Sequence, residues 1–412
     1  MAPVPSPAEL GVRLWHRLAP ATWPLPVDAL PAGTALVGGA VRDALLGRLA
    51  LRPDLDFVVP AGAIRLCHRL AGELGGTAVV LDPERDIARL VLSGWTIDLA
   101  RCEGPDLASD LRRRDYSANA IALPLDPGAE PVDPTGGLGD LARGLLVAVS
   151  EQNLLADPLR LLRGVRLSWE LGLVLAPDSR HWIHTHATRL GAVAGERVLA
   201  ELNKLAALPE GERGLEQAAQ AGLLDPWGAR PQPGLPLAQL GPAAAAARGL
   251  RPEETATALP LARLAALLDG PALAKLHASR RLQQQCQRLR EWASALNQAA
   301  LNQAASLEGL EEAERLRLQR QLEADLPALL LCLAPEQAGA ALERWRDPAD
   351  PLFHPAPPLD GHQLQQALGI PPGRALGELL QHLSQERAFG RLSGDHCAVL
   401  AAARQWLAQR RD

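Results

Sequence analysis

Asp54-Leu55-Asp56-Phe57-Val58-Val59 is the stretch on which the fold of this 412-residue chain turns. Its β-branched and aromatic residues favour a strand, and period-two alternation predicts both carboxylates on one face, with Leu55 and Phe57 on the other. Two carboxylates so close repel unless divalent cations sit between them, and Mg²⁺ favours such oxygen ligands together with substrate phosphates. The pair therefore points to metal-assisted phosphoryl transfer. A solvated strand edge is the plain alternative.

Working outward, Leu36-Val37-Gly38-Gly39-Ala40-Val41-Arg42-Asp43 sets two glycines between a strand and an amphipathic helix. Glycine lets backbone amides approach a phosphate closely, a helix start offers unpaired N–H groups, and Arg42 adds a forked donor. An ordinary strand-to-helix connection would look the same. Downstream, Thr96-Ile97-Asp98-Leu99 reads as a strand carrying one acid among apolar neighbours, which is costly unless paired or metal-bound. Asp110-Leu111-Arg112-Arg113-Arg114-Asp115-Tyr116-Ser117-Ala118-Asn119-Ala120 concentrates donors suited to ribose and phosphate, or forms a solvated basic turn.

Strands are expected at Thr34–Val37, Asp54–Val59, Ala78–Leu81, Ala88–Leu92 and Thr96–Ala100, with helices at Ala40–Leu46 and Ala63–Leu74. That is a small mixed sheet with helices packed on it. From about Asp157 the pattern is helical almost throughout, including Pro158–Leu171, Ser179–Leu190, Glu196–Ala207, Ala256–Leu268, Leu282–Leu296 and Leu307–Leu331. A Pro/Gly-rich stretch from Asp225 to Pro242 reads as a linker or long loop, and the tandem LNQAA at Leu296–Ala300 and Leu301–Ala305 as a spacer.

Composition sets the bounds. With 47% apolar and 22% charged residues the chain is a folded one, of a length for two to four domains. No apolar run approaches the roughly 20 residues that span a bilayer, and the start lacks a basic-then-apolar leader. Five scattered cysteines form no CxxC, which argues against a disulfide framework or thiolate zinc site and fits a reducing cytoplasm. All but two of the 42 basic residues are arginine, the exceptions being Lys204 and Lys275. The net charge of −5 argues against an indiscriminate polyanion binder but leaves room for a locally basic groove. His181, His184 and His186 have no acid or cysteine nearby to complete a zinc set and read as a solvated helix face.

In their order and spacing these segments resemble the class II tRNA nucleotidyltransferase and bacterial poly(A) polymerase family, within the polymerase β-like nucleotidyltransferase superfamily. Asp133-Pro134-Thr135-Gly136-Gly137 with Gly139-Asp140-Leu141 is similar to the segment joining head to neck. Asp157-Pro158-Leu159-Arg160-Leu161-Leu162-Arg163 is similar to the base-reading helix, and Glu196-Arg197 with Glu201-Leu202 to the neck helix after it. Pro357-Pro358-Leu359-Asp360-Gly361 and Gly369-Ile370-Pro371-Pro372-Gly373 resemble a tail segment. The resemblance runs from about residue 34 to 205 and again from 357 to 408, with helix but no motif between. Ala156 departs from the acid often found before the base-reading Asp, and Tyr116-Ser117-Ala118 varies the usual Phe-Thr-Ile.

The resemblance implies an α+β chain: a polymerase β-like head at 1–135, then a mainly helical neck at 136–205, body at 206–346 and tail at 347–412. It implies template-independent addition of CMP and AMP from CTP and ATP to the 3′ end of tRNA, in CCA addition or repair. The tRNA 3′-hydroxyl attacks the α-phosphate and pyrophosphate leaves. Asp54 and Asp56 become catalytic carboxylates that hold Mg²⁺, with Asp98 as a third ligand. Gly38, Gly39 and Arg42 would position the triphosphate, Asp43 would orient Arg42 through an ion pair, and Arg114, Asp115 and Asn119 would contact ribose and phosphates. Asp157 and Arg160, three apart on a helix, would read the edge of cytosine or adenine, while Arg163 either steadies them or packs into a salt bridge.

Expected partners are the acceptor stem and TΨC side of tRNA, with neither DNA nor membrane. Partial chemistry (CC only, A only, or poly(A) synthesis) and a catalytically silent RNA-binding protein are the alternatives. Complete CCA-adding relatives usually carry a longer flexible segment where this chain runs compactly from Asp56 to Arg114, which sets the final A step in question.

Overall fold

The computed structural model describes residues 6–232, 235–301, 307–333, 335–354 and 358–409. They form two compact units, Met1–Val193 with Ala221–Leu223, and Ala194–Gln220 with Leu224–Asp412.

The first unit opens with α1 (Pro7–Leu18), started by a capping box in which Ser6 Oγ accepts from Glu9 N and Glu9 accepts from Ser6 N. Six strands follow: β1 (Ala35–Val37), β2 (Leu55–Val59), β3 (Thr77–Asp82), β4 (Ile87–Leu92), β5 (Trp95–Arg101) and β6 (Ala122–Pro124). Their order in the sheet is β3-β4-β5-β2-β1-β6, with only β2 and β5 parallel. Alternation divides each strand between two faces. Leu36, Leu55, Phe57, Ile97 and Leu99 point to one side, where they pack with buried residues of α1, α2 (Gly39–Leu45) and α3 (Ala63–Leu74). Phe57 also meets Trp23 edge to face, ring centroids 5.6 Å apart. On the other side a smaller core of Ala35, Val37, Val58, Leu111, Ala120 and Ala122 leaves room for the polar row described below.

The same unit continues through α4 (Leu107–Leu111), α5 (Gly137–Ala142), α6 (Glu151–Ala156), α7 (Leu159–Leu171) and α8 (Pro177–Thr185). Two-residue strands β7 (Leu145–Leu146) and β8 (Val174–Leu175) pair in parallel beside them. Thus the residues expected as head share one compact unit with α5 to α8. The helix expected over 179–190 stops at Thr185 and is followed by 3₁₀ turns over Ala187–Ala192.

The second unit is helical: α9 (Gly195–Ala207), α10 (Gly211–Gln220), α11 (Pro242–Ala247), α12 (Pro252–Leu267), α13 (Gly270–Lys275), α14 (Arg280–Leu301), α15 (Glu312–Leu322), α16 (Leu326–Leu330), α17 (Pro335–Arg346), α18 (Gly361–Leu368), α19 (Arg374–Ala388) and α20 (His396–Gln409). At its centre lies α12, whose Arg263 is 1% exposed. Such a burial is tolerated because every side-chain nitrogen has a partner: Nε bonds Leu240 O, Nη1 bonds Ala206 O and Leu208 O, and Nη2 bonds Pro209 O and the Glu212 carboxylate. The helix expected over 307–331 is broken, because Pro327 has no N–H to continue a ladder and sits instead in the first turn of α16. Leu364, Leu379, Leu383, Val399 and Ala403 make a separate small core for α18 to α20. Most of the second LNQAA copy, and Pro357 of the tail motif, lie outside the described residues. No helix among the described residues is long and apolar enough to cross a membrane.

Candidate active site

Register sets the carboxylates. Across the sheet, Val37 of β1 pairs with Asp56 of β2, Asp56 with Asp98 of β5, and Asp98 with Arg89 of β4, so one row carries two acids and a base. Asp54 lies exposed just ahead of β2. Burial, reinforced by the neighbouring Asp98 and Asp54 carboxylates, pushes Asp56 up to about 6 against the opposing pull of Arg114 and Arg163. Asp98 has a different fate. Arg89 grips both its oxygens, Nε to Oδ1 at 2.7 Å and Nη2 to Oδ2 at 2.8 Å. Among the described residues no group of three or more acids, histidines or cysteines is arranged to hold a metal ion. Asp98, expected as a third metal ligand, is thus ion-paired with the base opposite it in the ladder. Asp54 and Asp56 remain as oxygen donors, and the crowding of negative charge on a half-buried Asp56 suits a divalent cation.

Gly38 brings the turn onto this acid. Its φ of +72° is left-handed, and a Cβ there would sit 3.1 Å from Asp56 Oδ2 and 3.6 Å from Arg114 Nη1, so glycine is needed for both conformation and approach. Gly39 opens α2. Arg42, next along, is turned inward and 6% exposed. Its Nε and Nη2 meet Asp43 Oδ1 and Oδ2 at 2.9 and 3.1 Å, and Nη1 donates to Asn119 Oδ1 at 2.6 Å. The ion pair expected between Arg42 and Asp43 forms, and with Asn119 it occupies a fork that the sequence suggested would face a phosphate.

From Asn119 the string continues. Asn119 Nδ2 donates to Asp115 Oδ1 at 3.2 Å, and Asp115 Oδ2 pairs with Arg163 Nη2 at 3.0 Å. Burial raises the Asp115 pKa, but Arg163, the Tyr116 amide and Asn119 together outweigh it and hold the carboxyl below its usual range. Asp43, Arg42, Asn119, Asp115 and Arg163 thus tie α2, the 3₁₀ turn Ser117–Asn119 and α7 together. Of the two roles open to Arg163, the salt bridge is present.

Arg114 lies beside this string. Its Nη2 donates to Asp110 Oδ2 at 3.2 Å, while its buried Nε has no hydrogen-bond partner among the described residues. Arg160 is drawn to the same segment, Nη1 donating to Arg113 O at 3.0 Å and Asn153 O at 2.9 Å. Burial lowers the Arg160 pKa despite Asp115 and Asp157 nearby. Asp157 is not on a helix. It is extended, φ −140° and ψ 96°, between α6 and α7, because the following Pro158 disfavours the α region for the residue before it. Its Oδ1 accepts from Leu159 N at 3.3 Å, a helix-start contact. The shared helix face expected for Asp157 and Arg160 is replaced by an extended residue ahead of α7 and an arginine in its first turn.

Four supporting residues escaped the sequence reading. Arg89 holds Asp98, and Asn153 Nδ2 ties Arg112 O and Arg114 O at 2.8 and 2.7 Å. Tyr116, the only tyrosine, is fully buried and donates from Oη to Arg160 O at 2.9 Å. Gly164 makes room for it, since a Cβ there would collide with Tyr116 Oη. A glycine inside a strong helical run and an arginine inside an apolar strand were available signals. Asn153 offered none.

Residues 34–147 match the poly A polymerase head domain, and residues 172–227 match the probable RNA and SrmB-binding site of polymerase A. A CC-adding tRNA nucleotidyltransferase of Synechocystis is 46% identical over 204 residues, 50% of this chain and 49% of that one. The chain thus spans about half the length of that relative, as of an A-adding and another CC-adding relative. A CC-adding tRNA nucleotidyltransferase of Deinococcus radiodurans matches more broadly, 33% identical over 377 residues, 86% of this chain and 85% of that one. The crystal structure of the Bacillus stearothermophilus CCA-adding enzyme in complex with CTP superimposes with a TM-score of 0.65 over 99% of each chain at 22% identity, which shows a shared fold.

Proposed function

This chain belongs to the tRNA nucleotidyltransferase family, and on that premise we propose that it adds CMP, and AMP where its site admits it, from CTP and ATP to the 3′ end of tRNA without a template. What carries the reading is one juxtaposition: a half-buried, charge-crowded Asp56 within reach of the Gly38 turn and Arg114. Asp54 and Asp56 would hold Mg²⁺, which when bound neutralises charge on the triphosphate and makes a 3′-hydroxyl easier to deprotonate. The chain's residues do the rest. The Gly38-Gly39 backbone, free of Cβ atoms, can lie against phosphates. Arg114, anchored by Asp110, offers its guanidinium beside Asp56. The Asp43-Arg42-Asn119-Asp115 string holds the glycine turn and the arginine segment in one geometry, so Arg42, Asp43 and Asn119 act mainly as positioning residues. Asp157 as acceptor and Arg160 as donor would read the base edge.

The head would be the catalytic part, the segment from α5 to α9 the neck, and the remaining helices the body and tail that meet the acceptor stem and TΨC side of tRNA through its backbone. Cytoplasmic work follows from that substrate.

Partial, CC-only addition is the finer reading we favour, supported by three CC-adding relatives, one of them matching along most of the chain, and by the compact interval from Asp56 to Arg114. The test is incorporation of labelled CTP or ATP, with Mg²⁺, into tRNA ending at the discriminator base, at C or at CC. We expect CMP on the first two and no AMP on the third. AMP on the CC end overturns the CC-only reading, and no incorporation on any end overturns the enzyme. A minihelix lacking the anticodon arm should serve as substrate.

A further inference from the structure

Asn153 is a residue that neither the sequence motifs nor the carboxylate row accounts for. It sits half-buried in the short helix α6, where Ser150 Oγ, capping that helix, accepts from Asn153 N at 3.1 Å and fixes where the side chain starts. From there one amide nitrogen, Nδ2, donates to two carbonyls of the arginine segment, Arg112 O at 2.8 Å and Arg114 O at 2.7 Å. The carbonyl between them, Arg113 O, accepts from Arg160 Nη1 at 3.0 Å, and the same Nη1 reaches Asn153 O at 2.9 Å. Three consecutive carbonyls are thus held from α6 and α7, and both N–H bonds of Arg160 Nη1 are spent on closing the clamp.

Arg160 is fixed at its other end too. Tyr116, fully buried, donates from Oη to Arg160 O at 2.9 Å, so backbone and guanidinium are both tied to the segment 112–116. Asn153 orients the guanidinium's partner: with the carbonyls on either side held, the peptide that carries Arg113 O is kept facing Arg160. The remaining donors of Arg160, Nε and Nη2, make no hydrogen bond among the described residues. They form one edge of a planar fork, two N–H bonds pointing the same way. A fork held still is a chemical filter. Cytosine offers it two adjacent acceptors, ring N3 and O2, beside an amino group for the Asp157 carboxylate. Adenine offers an amino group and ring N1 but a C–H where the second donor points, so one donor goes unmet unless the arginine re-aims.

We propose that Asn153 is a specificity-determining positioning residue: by pinning the carbonyls of Arg112 and Arg114 it holds Arg160 in one orientation, and that orientation favours cytosine over adenine. This rests on the reading of Arg160 as a base contact in a nucleotidyltransferase. The experiment measures kcat and KM for CTP and for ATP on tRNA ending at C, with Mg²⁺, in wild type, Asn153→Ala, Asn153→Leu and Arg160→Ala. Leucine keeps the branched shape of asparagine and removes the donor. In both Asn153 variants KM for CTP should rise about five- to tenfold, because Arg160 must then be ordered by the nucleotide, with kcat changed less than about threefold. The ratio of kcat/KM for CTP to that for ATP should fall about five- to tenfold. Loss of folded enzyme lowers both rates together and cancels from this ratio.

A wild-type ratio in both Asn153 variants, beside a lowered ratio in Arg160→Ala, overturns the clamp and leaves base reading by Arg160 standing. A wild-type ratio in Arg160→Ala overturns the base reading and the clamp with it. Selectivity lost in Asn153→Ala but kept in Asn153→Leu makes shape rather than the amide donor the cause, and also overturns the proposal. A wild type that incorporates neither nucleotide on any tRNA end overturns the catalytic reading and everything that rests on it.

Discussion

Asp56, half-buried, and Asp115, buried, are both carboxylates of the first unit, yet their pKa values are shifted in opposite directions. Asp56 shares its face of the sheet with other acids and is pushed up to about 6, whereas Asp115 meets Arg163, a backbone amide and Asn119 and is held below the usual carboxylate range. Burial is common to them, so neighbours decide. The protein supplies Asp115 with its counter-charge and leaves Asp56 wanting one. A buried acid already paired by its own chain is scaffold. One crowded by like charge beside a glycine turn is where we propose that a cation and a phosphate bind.

The comparison can be broken most severely at the carboxylates. Asp54→Ala or Asp56→Ala should reduce incorporation at least about a thousandfold, with tRNA binding nearly intact, since transition-state charge loses its support. Near-normal turnover in either variant would remove them from the site. Asp115→Ala should act on the fold instead, by about 3 kcal/mol in urea unfolding, because Arg163 and Asn119 lose a shared buried partner. Since the Asp115 pKa is lowered on folding, its contribution is present above its ordinary value of 3.8 and fades as pH falls through the folded value.

Asp56→Asn sharpens the contrast with the opposite sign. The Asp56 pKa is raised on folding, so the folded state holds the proton more tightly, and stability is lost as pH rises from 3.8 towards about 6. In chelator, Asp56→Asn should match wild type near pH 4 and be more stable by about 2–3 kcal/mol at pH 8. A flat difference across pH would contradict the charge-crowding account. Gly38→Ala should cost about 1–2 kcal/mol through its left-handed φ and its approach to Asp56 Oδ2. The smallest stability effect is expected for Asp157→Ala, about 1 kcal/mol for the lost helix-start contact. If Asp157 also reads the base, selectivity among the four triphosphates falls about ten- to a hundredfold. Lower melting with unchanged selectivity would end that role.

Strands β1 to β5 and helices α2, α3, α7 and α9 were legible because apolar residues recur at the period of each element and turn residues bound them. The breaks at Thr185 and ahead of Pro327 were missed because apolar spacing carries on past a change of direction. At the site, Asp54, Asp56, Gly38 and Arg114 could be read from residue type and spacing. Arg89 stood out only as a charge inside an apolar strand, and its meeting with Asp98 is decided by the ladder alone.

By itself the sequence determined which segments form strand and helix, which face of β2 is apolar, and which residue types are present for phosphate chemistry, because these follow from local periodicity and composition. Tertiary structure alone decided how charge is shared among them. It gave Asp98 to Arg89, Arg42 to Asp43 and Asn119, and Arg163 to Asp115. The reason is physical: a charge's partner is whatever lies within a few ångströms, and strand register and helix packing, rather than distance along the chain, set that neighbourhood.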